Sequence, residues 1–167
     1  SRGLGDVYKR QKENFKIIGH DVVSIHRFDN PVEAVKNAEV IVVGGGNTFA
    51  LTKKIQDNGL IDAIKEKVEN NVPYIGWSAG SNLACPTIRT TNDMPIIEPD
   101  SFDVFNFVKF QINPHYLDAH PDGHAGETRE MRIEEFIELN RNIYVVGLRE
   151  GTMFKIENNE IKLIGNR

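Results

Sequence analysis

A serine in Gly76-Trp77-Ser78-Ala79-Gly80 has the surroundings of a catalytic nucleophile. A short apolar run precedes it and a helical pattern follows it, which is the context of the G-x-S-x-G nucleophile elbow. In such a turn the hydroxyl is exposed, and the two glycines remove side chains that would collide around it. The pattern fixes only three positions, so a chance glycine-serine turn is the alternative. The strand and helix context favours Ser78 as a nucleophile.

A serine hydroxyl needs a base to take its proton, and the base needs a third group to hold its tautomer. Among the 5 histidines, His115 directly follows a predicted strand, which is where open α/β sheets place functional groups. Two carboxylates qualify as the third group: Asp93, in the loop after the elbow helix, and Glu150, at the end of a later strand. Either one could accept the second N–H of the histidine, so both remain candidates.

Three consecutive glycines, Gly44 to Gly46, lie between a buried strand and a helix. Their spacing matches neither a Walker loop nor G-x-G-x-x-G. Exposed N–H groups at this turn would serve as half of an oxyanion hole, with the N–H of Ala79 as the other half. A tight turn without a catalytic role is the alternative.

Two histidines and two aspartates suggest a metal site: Asp118, His120, Asp122 and His124. Pro121 and Gly123 prevent a helix from aligning the two histidines, and no third ligand group is obvious. We therefore predict neither a metal nor another cofactor.

The composition indicates one globular domain, with 167 residues of which 40% are hydrophobic. A net charge of -4 without a lysine-arginine run argues against nucleic acid as a partner. The apolar runs are too short to span a membrane, and no signal peptide opens the sequence. The single cysteine, Cys85, excludes an internal disulfide, fits a reducing compartment, and is expected to be buried rather than a second nucleophile.

Alternating strands and helices predict a mostly parallel sheet covered by helices on both faces. Before the elbow we predict a helix ending at Lys12–Gly19, strand Val22–Phe28, helix Pro31–Asn37, strand Val40–Val43, a helix capped by Asn47 or Thr48, and helix Leu60–Asn70. After it we predict loop Pro86–Asp103, strand Phe107–Ile112, helix Glu127–Leu139, strand Ile143–Leu148, and a hairpin of Thr152–Glu157 with Ile161–Ile164.

Four long strings closely resemble the aspartyl dipeptidases of the S51 family of serine peptidases: Ile41–Phe49, Tyr74–Pro95, Gln111–Tyr116 and Gly123–Arg132. The resemblance runs from about Glu13 to near the C-terminus. It implies a three-layer, flavodoxin-like fold related to class I glutamine amidotransferases. It also implies a cytoplasmic, serine-dependent dipeptidase that removes the N-terminal aspartate of Asp-Xaa dipeptides through an acyl-enzyme.

The resemblance assigns roles to particular residues. The nucleophile is Ser78, the histidine is His115, the acidic residues are Asp93 and Glu150, and the oxyanion donors are the N–H groups of Gly46 and Ala79. We expect one carboxylate to orient His115, and the other to bind the substrate's α-ammonium group or to support the loop.

Aspartate specificity requires a cation for the substrate's β-carboxylate, best supplied by a guanidinium. Arg129 and Arg89 are the candidates, and the resemblance favours Arg129. Thr90 and Thr91 are candidate hydroxyl donors. A surface salt bridge is the alternative role for both arginines.

The chain also departs from the family pattern. Family members begin with another strand and crossover before the segment matching Glu13, and end with a further strand. We therefore expect residues 12–167 to form one hydrolytic domain without its first and last strands, and Ser1–Gln11 to be disordered or a cloning artefact outside the family. Two other functions remain: a related S51 hydrolase acting on other acidic or β-linked aspartyl peptides, as cyanophycinases do, and a catalytically inactive binding protein.

Overall fold

The computed structural model describes residues 2–118 and 126–165, and its fold is α/β. The helices are α1 (Arg2–Ile17), α2 (Pro31–Lys36), α3 (Thr48–Asp57), α4 (Leu60–Glu69), α5 (Ala79–Ala84) and α6 (Arg129–Leu139), with a 3₁₀ helix at Ile25–Arg27. The strands are β1 (Ile41–Val43), β2 (Tyr74–Gly76), β3 (Gln111–Pro114), β4 (Val145–Leu148), β5 (Thr152–Glu157) and β6 (Glu160–Gly165).

The strands pair two by two. β1 lies parallel to β2, with Ile41 opposite Tyr74, and β3 lies parallel to β4, with Gln111 opposite Val145. β5 and β6 form the predicted antiparallel hairpin. Its turn residues Asn158 and Asn159 have φ values of 51° and 63°, the left-handed conformation that two-residue hairpin turns require.

The main core lies around β1 and the helices that follow it. α3 begins where the Asn47 side chain accepts a hydrogen bond from the N–H of Ala50, so the predicted cap is confirmed. α4 buries Leu60, Ala63 and Ile64, which share one helix face. A second, smaller core surrounds Cys85, Val108 and Ile112 at the start of β3. α5 contacts both β2 and β3 and thereby joins the two strand pairs.

The predicted disorder of residues 1–11 is wrong for the described part of that segment, because α1 begins at Arg2. Partly buried side chains along α1 are spaced as one helix face: Tyr8, Gln11, Lys12 and Phe15. Two of these four are polar, so the apolar pattern alone does not reveal the helix. The hydroxyl oxygen of Tyr8 accepts a hydrogen bond from the N–H of Ser24 at 3.1 Å and attaches α1 to the next segment.

The predicted strand Val22–Phe28 is also wrong, since Ile25–Arg27 is a 3₁₀ helix. Within residues 2–118 and 126–165, no strand pairs with this segment. Its apolar residues therefore have strand propensity without a neighbouring strand to bond to. A strand is the product of pairing, and propensity alone does not supply the partner.

Other boundaries differ by a few residues. β3 begins at Gln111 rather than Phe107, because the N–H groups of Phe107 and Val108 both donate to the carbonyl of Ala84. α6 begins at Arg129, where Thr128 caps the helix by accepting from the N–H of Met131 at 2.9 Å. The predicted loop 86–103 contains neither helix nor strand among its residues and is closed by one isolated bridge between Thr87 and Asp103. Among the helices of the described ranges, none has the length and apolarity to cross a membrane.

Candidate active site

Ser78 lies in a sharp turn between β2 and α5. Its backbone has φ 53° and ψ -117°, a conformation that costs energy for a residue with a side chain. A Cβ on Gly80 would lie 2.0 Å from the carbonyl oxygen of Val43, and a Cβ on Gly76 would lie 2.6 Å from the carbonyl oxygen of Gly80. Both glycines of the elbow are therefore required by close backbone packing.

Hydrogen bonds hold this turn in place. The partly buried side chain of Tyr74 donates its hydroxyl proton to the carbonyl of Gly80 at 2.7 Å, so strand β2 is bonded to the helix that follows it. Burial raises the pKa of Tyr74, which keeps this hydroxyl protonated as a donor. On the other side of α5, the amide of Asn82 donates to the carbonyl of Ile112 at 2.8 Å. The elbow is thus fixed to both strand pairs.

His115 joins Ser78 to a carboxylate. Its Nε2 lies 2.9 Å from the Oγ of Ser78, and its Nδ1 contacts Oε1 of Glu150. With the Nδ1 proton donated to Glu150, Nε2 is free to accept the serine proton, which is the arrangement of a serine-histidine-carboxylate triad. His115 also has a left-handed backbone, with φ 57°. The side chains of His115 and Glu150 are 49% and 74% exposed, so the site opens to solvent.

Three strand ends bring these groups together: Ser78 follows β2, His115 follows β3, and Glu150 follows β4. Beside them, Arg149 donates to both carboxylate oxygens of Asp118 at 2.5 and 2.6 Å. This exposed ion pair lowers the pKa of Asp118 and links the segment after His115 to the residue before Glu150. The ion pair between Arg149 and Asp118 is present when Asp118 is ionised, and it is lost in acid because that carboxylate gains a proton.

Asp93, the other candidate carboxylate, bonds elsewhere. Its Oδ2 accepts from the N–H of Thr48 at 2.7 Å and from the hydroxyl of Thr48 at 2.6 Å. The structure therefore places Asp93 at the N-terminus of α3, while Glu150 contacts His115. Of the two carboxylates that the sequence left open, only Glu150 occupies the triad position.

The glycine turn lies beside the nucleophile. A Cβ on Gly45 would be 3.3 Å from the Cβ of Ser78, and a Cβ on Gly44 would be 3.1 Å from the ring of Trp77. Gly46 has φ 148°, which side chains rarely adopt. Among residues 2–118 and 126–165, the N–H groups of Gly46 and Ala79 have no hydrogen-bond acceptor. The turn and the elbow thus offer free donors next to Ser78.

Arg129 is connected to the site by two hydrogen bonds that pass through the side chain of Asn92. Its Nη1 donates to Oδ1 of Asn92 at 2.5 Å, and Nδ2 of Asn92 donates to the carbonyl of Pro114 at 2.7 Å, one residue before His115. Desolvation, followed by the charge of Arg132, lowers the pKa of Arg129. In the described part of the chain, no carboxylate forms an ion pair with this guanidinium.

The remaining candidates for substrate binding make other contacts. Arg89 lies 5.4 Å from the ring centroid of Phe136, as a cation–π pair on the surface. The hydroxyl of buried Thr90 donates to the carbonyl of Ile112 at 2.9 Å. The hydroxyl of Thr91 donates to Thr48 at 2.9 Å. These three side chains therefore support the loop or α6 in this structure.

Sequence reasoning missed Asn92 altogether, and it identified Thr48 only as a candidate helix cap, not as a partner of Asp93. Asn92 connects Arg129 to β3, and it also accepts from the amide of buried Asn113 at 2.7 Å. Thr48 binds Asp93 and has no exposed surface. Both belong to strings that resemble the family, but polar residues in a turn-rich string give no local signal of a tertiary partner.

A cleft of about 780 Å³ opens beside Ser78, His115 and Glu150. Cys85 lies in the protein interior with no exposed surface, and burial raises its pKa to about 12, so it is a neutral thiol near pH 7. Three of the residues considered for a metal site lie outside the described residues: His120, Asp122 and His124. Within residues 2–118 and 126–165, no group of three potential metal ligands is present.

Comparison with known proteins gives consistent results. The model of peptidase family S51 matches residues 3–164, so the expectation that the family match begins near Glu13 is wrong. The chain is 57% identical to peptidase E of Nostoc sp. over 95% of this chain and 66% of that protein. It is 49% identical to peptidase E of Salmonella typhimurium over 89% of this chain and 65% of that protein. It thus spans slightly less than two thirds of the length of these relatives.

A solved structure supports the fold. A protein from Listeria monocytogenes EGD-e, provisionally named peptidase E, has a TM-score of 0.63 and 21% sequence identity, over 81% of this chain and 64% of that one. At this identity the likeness concerns the fold alone. The family match over nearly all of the sequence and the identity to the two curated relatives lead to one conclusion: the chain belongs to peptidase family S51.

Proposed function

We propose that the protein is a serine-dependent dipeptidase that hydrolyses Asp-Xaa dipeptides through an acyl-enzyme. The observation that carries the proposal is the contact chain from Ser78 Oγ through His115 to Glu150, with 2.9 Å between Oγ and Nε2. Membership of family S51 supports a peptidase, and the relatives from Nostoc and Salmonella are named peptidase E.

In the proposed mechanism, His115 Nε2 accepts the hydroxyl proton as Ser78 Oγ attacks the α-carbonyl carbon of the substrate's aspartyl residue. The C–O bond forms and the carbonyl electrons move to its oxygen, where the N–H groups of Gly46 and Ala79 donate to the anion. The C–N bond then breaks, and His115 gives its proton to the leaving amine. Water, deprotonated by His115, cleaves the resulting aspartyl ester and restores Ser78.

Arg129 is the proposed partner of the substrate's β-carboxylate. Its guanidinium is partly buried and is linked through Asn92 to Pro114, the residue before His115. In the described residues no carboxylate pairs with this guanidinium, so its remaining N–H groups can bind a substrate carboxylate. Arg89, the other candidate, stacks on Phe136 instead. The proposed substrate is thus a small acidic peptide, and the proposed location is the cytoplasm, as the resemblance implies.

We also propose a three-layer, flavodoxin-like arrangement related to class I glutamine amidotransferases. Two parallel strand pairs and the similarity to the Listeria structure support it. In such a fold the carboxyl ends of neighbouring strands form the site, as Ser78, His115 and Glu150 do.

Hydrolysis of α-Asp-Leu by the wild type, Ser78→Ala and His115→Ala tests the proposal. Each variant should lose about 10⁴-fold or more in kcat, because nucleophile and base act as one unit. His26→Ala, which changes an exposed histidine of the 3₁₀ helix, is the matched control and should keep full activity. Near-normal turnover by Ser78→Ala would refute the assignment.

A second measurement separates the other functions. β-Asp-Leu and Ala-Leu are assayed beside α-Asp-Leu, and Ser78 is treated with a fluorophosphonate and examined by mass spectrometry. Preference for β-Asp-Leu would indicate a hydrolase of β-linked peptides. Absence of labelling together with absence of hydrolysis would indicate a binding protein.

A further inference from the structure

We propose that Asp93 is a positioning residue that holds the glycine turn Gly44–Gly46 against Ser78. This inference rests on the proposed function, in which the N–H of Gly46 stabilises the oxyanion. It assigns a task to a carboxylate that the triad does not use.

The first observation is the set of bonds made by Asp93. One carboxylate oxygen accepts two short hydrogen bonds from Thr48, at 2.7 Å from the N–H and 2.6 Å from the hydroxyl. Bonds to a carboxylate are stronger than neutral ones, and the N-terminus of α3 favours a negative charge. Asp93 is therefore bound firmly to the residue that lies two positions after Gly46.

A second contact ties the same two segments together. The amide of Asn47 donates to the carbonyl of Met94 at 2.8 Å, while its oxygen caps α3. Neighbouring residues of the loop, Asp93 and Met94, thus bind Asn47 and Thr48, the two residues that directly follow the glycine turn. Thr48 has no exposed surface, so its bonds to Asp93 are partly shielded from water, whereas the Asn47–Met94 bond lies at the surface.

The anchored turn packs on the nucleophile. A Cβ on Gly45 would lie 3.6 Å from the Oγ of Ser78, so a shift of the turn by about an ångström would change the distance from its N–H groups to the oxyanion. Glycines have the greatest backbone freedom, and three in succession need an external restraint to keep one conformation. The loop residues Asp93 and Met94 supply that restraint.

The competing role for Asp93 is binding of the substrate's α-ammonium group. The two roles predict different kinetics. Loss of an oxyanion position lowers kcat, because the oxyanion exists only after attack. Loss of an ammonium contact acts on substrate binding and raises KM. A fluorophosphonate has no ammonium group, so it reports on Ser78, its base His115 and the oxyanion donors, and not on an ammonium contact.

The experiment compares Asp93→Asn and Thr48→Val with Asp100→Asn. Asp100 belongs to the same loop and pairs with Lys53 of the same helix at 2.9 Å, on the surface, so it is a matched control. We expect Asp93→Asn to lose about 10- to 100-fold in kcat with KM changed less than 3-fold. Thr48→Val should show the same split, and both variants should react more slowly with the fluorophosphonate by a similar factor.

Amide hydrogen exchange of residues 42–50 gives a readout that does not depend on turnover. Exchange should be faster in Asp93→Asn and Thr48→Val and unchanged in Asp100→Asn. A raised KM with normal phosphonate reactivity, or unchanged exchange in Asp93→Asn, would overturn the inference. If the wild type fails to hydrolyse Asp-dipeptides but the exchange pattern appears, the proposed function fails and the positioning role stands.

Discussion

The substitution Glu150→Gln tests the third member of the proposed triad. It retains the size of the side chain and an oxygen that can face His115 Nδ1, but it removes the negative charge and permits the amide NH₂ to face the ring instead. In that second orientation Nδ1 must be the unprotonated nitrogen. Nε2 then carries the proton and cannot accept one from Ser78.

The expected loss in kcat depends on how far the side chains of Glu150 and His115 are exposed to solvent. In buried triads, replacing the carboxylate by an amide costs about 10⁴-fold in kcat. Here the side chains of Glu150 and His115 are 74% and 49% exposed, so water screens the charge and competes for the ring N–H. We therefore expect a smaller loss, of about 10²- to 10³-fold in kcat. KM should change little because Glu150 contacts His115 rather than the proposed substrate carboxylate.

Steady-state hydrolysis of α-Asp-Leu measures the loss. Glu160→Gln is the matched control, because Glu160 lies in the adjacent hairpin and pairs with Lys162 at 3.2 Å on the surface. Thermal unfolding of both variants checks that the fold is retained. A Glu150→Gln enzyme with more than a third of wild-type kcat would refute the triad assignment, and a loss of 10⁴-fold would show that exposure does not weaken the pair.

Two further substitutions test packing and specificity. Gly80→Ala places a Cβ 2.0 Å from the carbonyl oxygen of Val43, so the backbone must move. We expect urea unfolding to show that the free energy of unfolding falls by about 2–3 kcal/mol. A decrease of less than about 0.5 kcal/mol would contradict this packing. Arg129→Lys retains the charge but not the planar fork, and it should raise KM for α-Asp-Leu about 10-fold, whereas Arg132→Lys, an exposed arginine on the same helix, should not. Equal KM values for the two arginine variants would remove Arg129 from the substrate site.

The elements with strong local patterns could be predicted from the sequence. The apolar run before Gly44 and the helical spacing of Leu60, Ala63 and Ile64 describe β1 and α4 because the same residues form the core. The structure of segment Val22–Phe28 could not be predicted in this way, since strand formation depends on a partner strand elsewhere in the chain. The end of α1 was predicted at Lys12–Gly19, but its first part was missed because half of the packed face of α1 is polar.

The same division applies to the candidate site. Ser78 lies two residues after β2, His115 directly follows β3, and parallel topology brings strand ends to one edge, so their proximity follows from order along the chain. The choice between Asp93 and Glu150 depends on the path of loop 86–103. That path is determined by tertiary hydrogen bonds such as Asp93 to Thr48, which no local pattern encodes.

The pairing of strands has a consequence for how the site is assembled during folding. β1–β2 carries Ser78, and β3–β4 carries His115 and Glu150, and in the described residues these pairs are not hydrogen-bonded to each other. The bond from His115 to Ser78 needs both pairs docked through α5. The triad is therefore a late, long-range product of folding, and recovery of activity should lag behind recovery of helix and strand content.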